Sequence, residues 1–432
     1  MAKAVMMGNA IKGRMNRAKR SYSRIGANNV FVHAIDTLKE GILGGVVHPK
    51  AKSQNDPMSI KVTDLILYHV FNRGQIPKDI RKSCGEAHDL FDTMRHLLVQ
   101  PNGDKQLDAL LTDDSIPINI RAQALFAHLA DIATAEKESI TLAMPEGTIE
   151  NQAGERYFPH YPDWASMLPI LARNTDKVIL PFDDYYGFGY FYQAHRDFAS
   201  KYLYGDDCIY GNMFLRAQNE ATALRPQIMR TNQVVEEAIN HLSAFCKRKN
   251  VVFDVIRRTI KSVGSMARKL YKYTRKEEKK FIENCEHMSL QVPANLSEKM
   301  SDRLHVRDLH DVVAREIIVN NKKDLWQVIN SLHTVLEQVS KKHGMDISIE
   351  VEDFVSNPKS NGYQAYHFDI KVGNEEYVNF EFRIVTKNMK RRNDKGDAAH
   401  HLYKGGSLSN GTNDEFKEIV EERRKKNGLG TR

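Results

Sequence analysis

No stretch of this chain is apolar over the roughly 18 residues that a membrane-spanning helix needs, so none is expected. Cysteine is scarce: Cys84, Cys208, Cys246 and Cys285 stand far apart, with no C-x-x-C pair. That argues against a zinc ribbon or a disulfide framework and fits a reducing, cytoplasmic compartment. Common catalytic signatures are missing as well. There is no G-x-x-x-x-G-K-[ST], no H-E-x-x-H and no G-x-S-x-G, which argues against a P-loop enzyme, a zinc protease and an α/β-hydrolase. Residues 1–35 contain no acid and lack the apolar core of a secretory signal. No internal repeat or low-complexity tract is visible.

What the chain does have is length and charge. At 432 residues, 41% hydrophobic and 27% charged, it reads as a soluble globular chain too long for one core, hence about two domains. The formal net charge is +8, unevenly placed. From Asn240 onward there are 36 Lys and Arg against 27 Asp and Glu, whereas the first 239 residues hold 27 against 28. A basic half beside a neutral one implies a polyanionic partner: nucleotide, nucleic acid or anionic lipid.

Near the N-terminus Lys12, Arg14, Arg17, Lys19, Arg20 and Arg24 form a solvated basic helix, a transit peptide or a nucleic-acid-binding arm. Helical periodicity runs over 59–135, with Ile120, Ala124, Leu125, Ala127, Leu129 and Ile132 on one stripe. Residues 157–204 are aromatic-rich and punctuated by prolines. The run Tyr185–Tyr192 reads as an irregular aromatic mini-core or as a platform for stacking bases. Val234, Val235, Ala238, Ile239, Leu242 and Cys246 predict an amphipathic helix over 233–247. We therefore expect a mainly helical region, 1–230, with no assigned role, and a second domain, 231–432. Its expected helices lie at 257–282, 324–343, 387–402 and 413–426, and its strands at 312–319, 346–355, 364–372 and 376–386. That order predicts an α+β sheet with flanking helices, mostly antiparallel where connections are short.

Four clusters in the basic domain suit phosphate chemistry. Lys261, Ser265 and Lys269 recur every four residues, which on a helix makes a cationic, hydroxyl-bearing face for a polyphosphate or a solvated basic face. Asp311 stands just ahead of Val312-Val313, where a carboxylate can hold Mg²⁺ at a sheet edge or cap a turn. Asn357–His367 reads as a turn with a strand leaving it. Lys359 and Asn361 suit phosphate there and Tyr363 suits a base, unless the segment is only a decorated hairpin. Glu381, between Phe380 and Phe382, faces solvent by alternation or lies buried beside a compensating cation. Downstream comes Gly396-Asp397-Ala398-Ala399-His400-His401-Leu402-Tyr403-Lys404.

In this order the clusters resemble the synthetase domain of the RelA/SpoT family of alarmone synthetases. That family's pattern runs K-x-x-x-S-x-x-x-K, D-x-x-[AG], D-Y-I-x-x-P-K-x-N-G-Y-x-S-x-H, E-x-Q-x-R-T and G-x-A-A-H-x-x-Y-K. Here P-K-x-N-G-Y-x-x-x-H from Pro358 to His367 and A-A-H-x-x-Y-K from Ala398 to Lys404 stand in register. The resemblance covers residues 240–405. It implies a nucleotidyltransferase-like mixed sheet and a Mg²⁺-dependent pyrophosphokinase of the stringent response. Such an enzyme moves pyrophosphate from ATP to the ribose 3′-hydroxyl of GDP, GTP or an adenine nucleotide, making ppGpp-type alarmones. By the same resemblance Arg258, Lys261, Ser265 and Lys269 would hold ATP. Asp311 and Glu381 would bind Mg²⁺, with Glu381 also able to activate the hydroxyl. Lys359, Asn361, Tyr363 and His367 would receive the acceptor.

Some positions depart from the pattern. Thr259 replaces the arginine two residues before the first lysine. Glu316 stands where the family has arginine five residues after the metal aspartate, and Arg383 and Val385 replace the glutamine and arginine of the glutamate strand. Two other readings therefore stay open. One is a toxin that pyrophosphorylates the 3′ end of tRNA, suited by Lys390-Arg391-Arg392. The other is a catalytically degenerate nucleotide- or RNA-binding protein. His88-Asp89 and the segment His128–Asp131 resemble only fragments of the family's hydrolase metal motif, so no hydrolase is expected. Nothing after Lys404 matches its long C-terminal regulatory region.

Overall fold

The computed structural model describes residues 7–24, 28–51, 55–68, 76–141, 164–186, 188–205, 208–257, 261–372, 377–395, 418–420 and 422. The chain divides into two units, Met1–Tyr202 with Lys404–Arg432, and Leu203–Tyr403.

The N-terminal region is mostly helical. Its elements are α1 (Asn9–Arg24), α2 (Asn28–Leu43), α3 (Pro57–Tyr68), α4 (Lys78–Leu98), α5 (Gly103–Thr112), α6 (Ile118–Thr141), α7 (Trp164–Asn174), α8 (Leu180–Tyr186) and α9 (Gly189–Leu203). A π-helical turn, Thr175–Ile179, joins α7 to α8 immediately before Pro181, whose missing N–H would break an ordinary helical ladder there. Buried Asn174 donates from Nδ2 to the carbonyls of Leu98 and Gln100, both at 2.8 Å, and so satisfies orphan acceptors at the end of α4.

The basic stretch folds as α1 and packs, with Ile11, Ala18 and Tyr22 fully buried. Arg17 forks onto Asp79 at 2.6 and 2.7 Å, and Arg14 lies 2.8 Å from Asp64. The aromatic run is helical rather than irregular: Phe182, Tyr186, Phe188, Phe191 and Phe198 are buried on α8, α9 and their link. Rings inside a core are not available to bases.

Burial raises the Asp64 carboxyl to about 6, although Arg14 opposes the shift. The folded unit then holds a proton that the unfolded chain has lost between 3.8 and about 6. The contribution of Asp64 to stability accordingly falls as pH rises through that window and is flat above it. Relative to the parent protein, Asp64→Asn is expected to gain about 1–3 kcal/mol of unfolding free energy from about pH 4 to pH 7. Urea unfolding at several pH values measures this; a pH-independent difference would sink the assignment.

The second unit holds α10 (Met213–Ala223), α11 (Arg225–Arg248), β1 (Phe253–Arg257), α12 (Val263–His287), α13 (Leu296–Ser301), β2 (Val313–Val319) and α14 (Lys322–Lys342). It continues with β3 (Ile347–Asp353), β4 (Tyr366–Val372), β5 (Val378–Thr386) and α15 (Lys387–Lys395). The strands form one mixed sheet in the order β1-β2-β5-β4-β3. β2 and β5 run parallel; the other pairs are antiparallel. The expected α+β architecture, a mixed sheet flanked by helices, is thus present. The expected 413–426 helix and the segment 396–404 fall largely or wholly outside the described residues.

Two local expectations change. The helix expected over 257–282 begins only at Val263, because the Ser262 side chain accepts the N–H of Ser265 and caps it. The residues before it, Phe253–Arg257, form strand β1 instead. The helix expected over 233–247 starts earlier, at Arg225, with Pro226 in its first turn, where proline is tolerated.

The sheet has two unlike faces, because neighbours in the register share a side. On one face Val313, Ile317, Phe368, Ile370, Phe380, Phe382 and Ile384 are buried. They belong to one core with Val234, Ala238 and Leu242 of α11 and Leu325, Leu332 and Leu336 of α14. The other face carries Glu316 of β2, His367 and Asp369 of β4, and Glu381 and Arg383 of β5. A sheet normally covers one side and leaves the other for solvent or ligand. Here the second side is almost entirely ionisable.

Candidate active site

At one edge of the polar side, Asp311 precedes β2 and holds two lysines. Lys261 Nζ meets one carboxylate oxygen and Lys269 Nζ meets the other at 2.5 Å. The backbone fixes this meeting, since Lys261 N–H donates to the carbonyl of Val312 at 2.9 Å. Lys261 therefore lies two residues ahead of α12, not on it, while Ser265 and Lys269 belong to the helix. Ser265 takes part in the cap, its Oγ 3.2 Å from that of Ser262. Arg258 lies outside the described residues.

Burial lowers the Lys261 ammonium to about 8, with Lys269 pushing the same way and Asp311 opposing. Lys269 is more exposed, so although burial lowers it, Asp311 wins and raises it. Burial likewise disfavours the Asp311 carboxylate, yet the two ammonium groups hold its value well below the ordinary range.

The second cluster forms around the turn before β4. Gly362 has φ +77°, a conformation that L side chains rarely adopt, and its N–H closes the turn onto the Lys359 carbonyl at 2.8 Å. Asn361 Oδ1 accepts the Tyr363 N–H at 3.2 Å, so this side chain shapes the turn. Asn393 of α15 pins the exit, donating to the Gln364 carbonyl at 2.7 Å and accepting its N–H at 3.1 Å. Lys359 Nζ lies 4.0 Å from the Phe354 ring centre and 5.4 Å from that of Tyr363. The His367 ring meets Phe354 edge-on at 5.6 Å.

From there a polar chain crosses the sheet. The Tyr363 hydroxyl is 2.8 Å from His367 Nε2, and His367 Nδ1 is 3.6 Å from Glu381 Oε1. Alternation does turn Glu381 away from buried Phe380 and Phe382, but onto this crowded face, where its side chain keeps only 16% of its exposure. Thus Lys261, Lys269 and Asp311 are in mutual contact, as are Lys359, Tyr363, His367 and Glu381. Asn361 stays in the turn.

Three features of the face escaped the sequence reading. Asp369 lies directly opposite Glu381 in the β4–β5 register. Burial, then the neighbouring Glu381 charge, raise its carboxyl to about 6, and its Oδ1 is buried without a hydrogen-bond partner. Glu316, 1% exposed, pairs with Arg383 and sits 3.0 Å from Lys390 Nζ. The two departures from the family pattern, Glu316 and Arg383, are therefore one ion pair. The strict polar-apolar alternation of Tyr366-His367-Phe368-Asp369-Ile370-Lys371-Val372 is the signal that could have drawn attention to Asp369.

Among the described residues no group of three or more His, Cys, Asp or Glu is spaced to ligate a metal. Mg²⁺ does not ask for one, since it commonly takes one or two carboxylates and completes its shell with substrate phosphates and water. Asp311 and Glu381 supply hard oxygen donors, and the orphaned Asp369 oxygen marks excess negative charge beside them, so the residues fit that ion. The fragments at His88 and His128 are core features. Buried His88 lies 3.3 Å from Asp92, and buried His128 packs edge-on against Phe91.

Comparison with known proteins agrees with the position of these clusters. Residues 260–407 match the model for the region found in RelA / SpoT proteins. A GTP pyrophosphokinase of Photobacterium angustum is 32% identical over 117 residues, 27% of this chain and 14% of that protein. One from Escherichia coli is 24% identical over 242 residues, 56% of this chain and 26% of that protein. The matched part thus spans well under half of either relative. The solved structure of small alarmone synthetase 1 from Bacillus subtilis bound to pppGpp aligns over 49% of this chain and 94% of its own, at 14% identity and a TM-score of 0.28. The C-terminal region of this chain is homologous to the RelA/SpoT family of alarmone synthetases, with the homology concentrated in residues 260–407.

Proposed function

We propose that this chain is a Mg²⁺-dependent pyrophosphokinase that transfers the β,γ-pyrophosphate of ATP to a ribose 3′-hydroxyl of a guanine or adenine nucleotide. One observation carries the reading: a lysine pair on Asp311 and the chain Tyr363–His367–Glu381 share the margin and the polar face of one sheet. The family resemblance supports it. In the reaction the 3′-oxygen attacks the β-phosphorus of ATP, the bond to the α-phosphate oxygen breaks, AMP leaves, and the hydroxyl proton passes to a base.

Lys261 and Lys269 are suited to bind the triphosphate, exchanging Asp311 for phosphate oxygens, with Ser265 at the helix start beside them and Arg258 on the same segment. Glu381 is suited to take the hydroxyl proton. Lys359, Asn361, Tyr363 and His367 offer a cation, an amide, an aromatic face and an imidazole to the acceptor. Asp311 and Glu381 would hold Mg²⁺, which when bound neutralises charge developing on the phosphates.

No helix among the described residues is long and apolar enough to cross a membrane. Operation in the cytoplasm, where the nucleotides are, belongs to this reading. The exposed Arg391 and Arg392 of α15 favour a second acceptor, the 3′ end of tRNA.

Purified protein is to be incubated with Mg²⁺, labelled ATP and, in turn, GDP, GTP, ADP, AMP and total tRNA, and the products separated. Label entering a free guanine or adenine nucleotide is the expected result. Label entering RNA establishes the second acceptor, and no transfer from folded protein that binds ATP sinks both.

A further inference from the structure

Glu316 and Arg383 face each other in the parallel β2–β5 register, and the same Arg383 faces His367 in the antiparallel β5–β4 register. The guanidinium therefore lies between a buried carboxylate and the Tyr363–His367 pair. It bonds Glu316 on one side and has the Tyr363 side chain as a hydrogen-bond partner on the other. Lys390 braces Glu316 from α15 at 3.0 Å. Hydrogen-bond direction along this chain is not arbitrary. Arginine only donates, so at Tyr363 the phenol oxygen accepts. The one hydroxyl proton of Tyr363 is then directed toward His367 Nε2, 2.8 Å away. At the other edge of the ring, Nδ1 faces Glu381 at 3.6 Å, and an ionised carboxylate only accepts. Both edges bias the neutral ring the same way.

We propose that Arg383, locked by Glu316, is a positioning residue that acts through Tyr363 to hold neutral His367 as the Nδ1–H tautomer, with its proton toward Glu381. The inference deepens the proposed function. In that setting the imidazole N–H orients the Glu381 carboxylate and keeps one oxygen ionised for the acceptor hydroxyl, while Nε2 is occupied and takes no proton from substrate. It also accounts for Glu316 and Arg383 departing from the family pattern together. An arginine in place of glutamine changes a group that can donate or accept into one that only donates, and a buried guanidinium needs the carboxylate partner that Glu316 provides.

The test uses ¹⁵N NMR of imidazole-labelled full-length protein, without nucleotide, at a pH where histidine is neutral. The other histidines are resolved by comparison with His367→Gln. In the parent protein the His367 Nε2 resonance is expected at the unprotonated position and Nδ1 at the protonated one. Tyr363→Phe removes only the hydroxyl. Glu316→Gln with Arg383→Gln removes both charges together, so no buried charge is left alone. In each variant the bias is expected to disappear, giving a mixture or the Nε2–H form. A parent ring protonated at Nε2, or an unchanged tautomer in Tyr363→Phe, overturns the proposal. An unchanged tautomer in the double variant overturns the part assigned to Arg383. Because the readout needs no turnover, loss of the proposed pyrophosphokinase reading and loss of this one are separately visible.

Discussion

Glu381→Gln is expected to lower pyrophosphate transfer by roughly a hundred- to ten-thousand-fold, the span usual for removing a general base. The amide keeps the size and planarity of the carboxylate and can still accept from His367, so positioning changes little. What disappears is the negative charge, and with it both proton acceptance and one of the two oxygen donors suited to Mg²⁺. The fold should not suffer. Asp369 lies opposite Glu381, and its carboxyl is raised to about 6 by burial and then by that neighbouring charge. Neutralising Glu381 relieves that repulsion, so the unfolding temperature should hold or rise. Rate and melting temperature measured on the same sample decide the matter. A Gln variant that melts normally and transfers pyrophosphate at the parent rate would remove Glu381 from the chemistry.

Glu316→Leu is expected to carry the largest stability cost in the sheet, about 3–5 kcal/mol, because it strands buried cations that had a shared counter-ion. Glu316 is 1% exposed and holds both Arg383 and Lys390. Against burial, which acts the other way, this carboxylate keeps the Arg383 guanidinium firmly protonated, so the arginine cannot shed its charge when the partner is lost. Glu316→Leu combined with Arg383→Met replaces the pair by apolar groups of similar length and should recover most of the loss, leaving Lys390 to reach solvent. Denaturant unfolding of the parent, the single and the double variant forms the cycle. A single variant within about 1 kcal/mol of the parent would mean that the pair carries little stability, contrary to its burial.

The strands β2 to β5 and helix α14 were legible because each is an uninterrupted stretch with a period of its own. Val313–Val319 is a β-branched run, and Leu325, Val328, Leu332, Leu336 and Val339 keep helical spacing. β1 was not legible. It has five residues, ends in arginine and runs straight toward a lysine-rich helix, so local pattern favoured extending the helix backward across it. Only its ladder to β2 makes Phe253–Arg257 a strand, and ladder bonds leave no mark on the sequence of one partner. The capping serine at 262 was a usable signal, outweighed by the spacing of Lys261, Ser265 and Lys269.

The candidate site divides in the same way. Lys359, Asn361, Tyr363 and His367 lie within nine positions, and turn geometry by itself gathers them, so their grouping could be read directly. The two lysines and Asp311 could be named but not joined. Their contact depends on the Lys261 N–H reaching the Val312 carbonyl. Glu316 and Arg383 looked in the sequence like two unrelated losses. They stand 67 positions apart, and only the parallel pairing of β2 with β5 makes them one ion pair. By itself, then, the sequence determined which residues are charged, where the periodic elements lie and which local turn presents the Lys359–His367 group. The tertiary structure alone decided which charges meet, because strand register across a sheet is set by packing of the apolar face against α11 and α14, and the polar face inherits whatever neighbours that register brings.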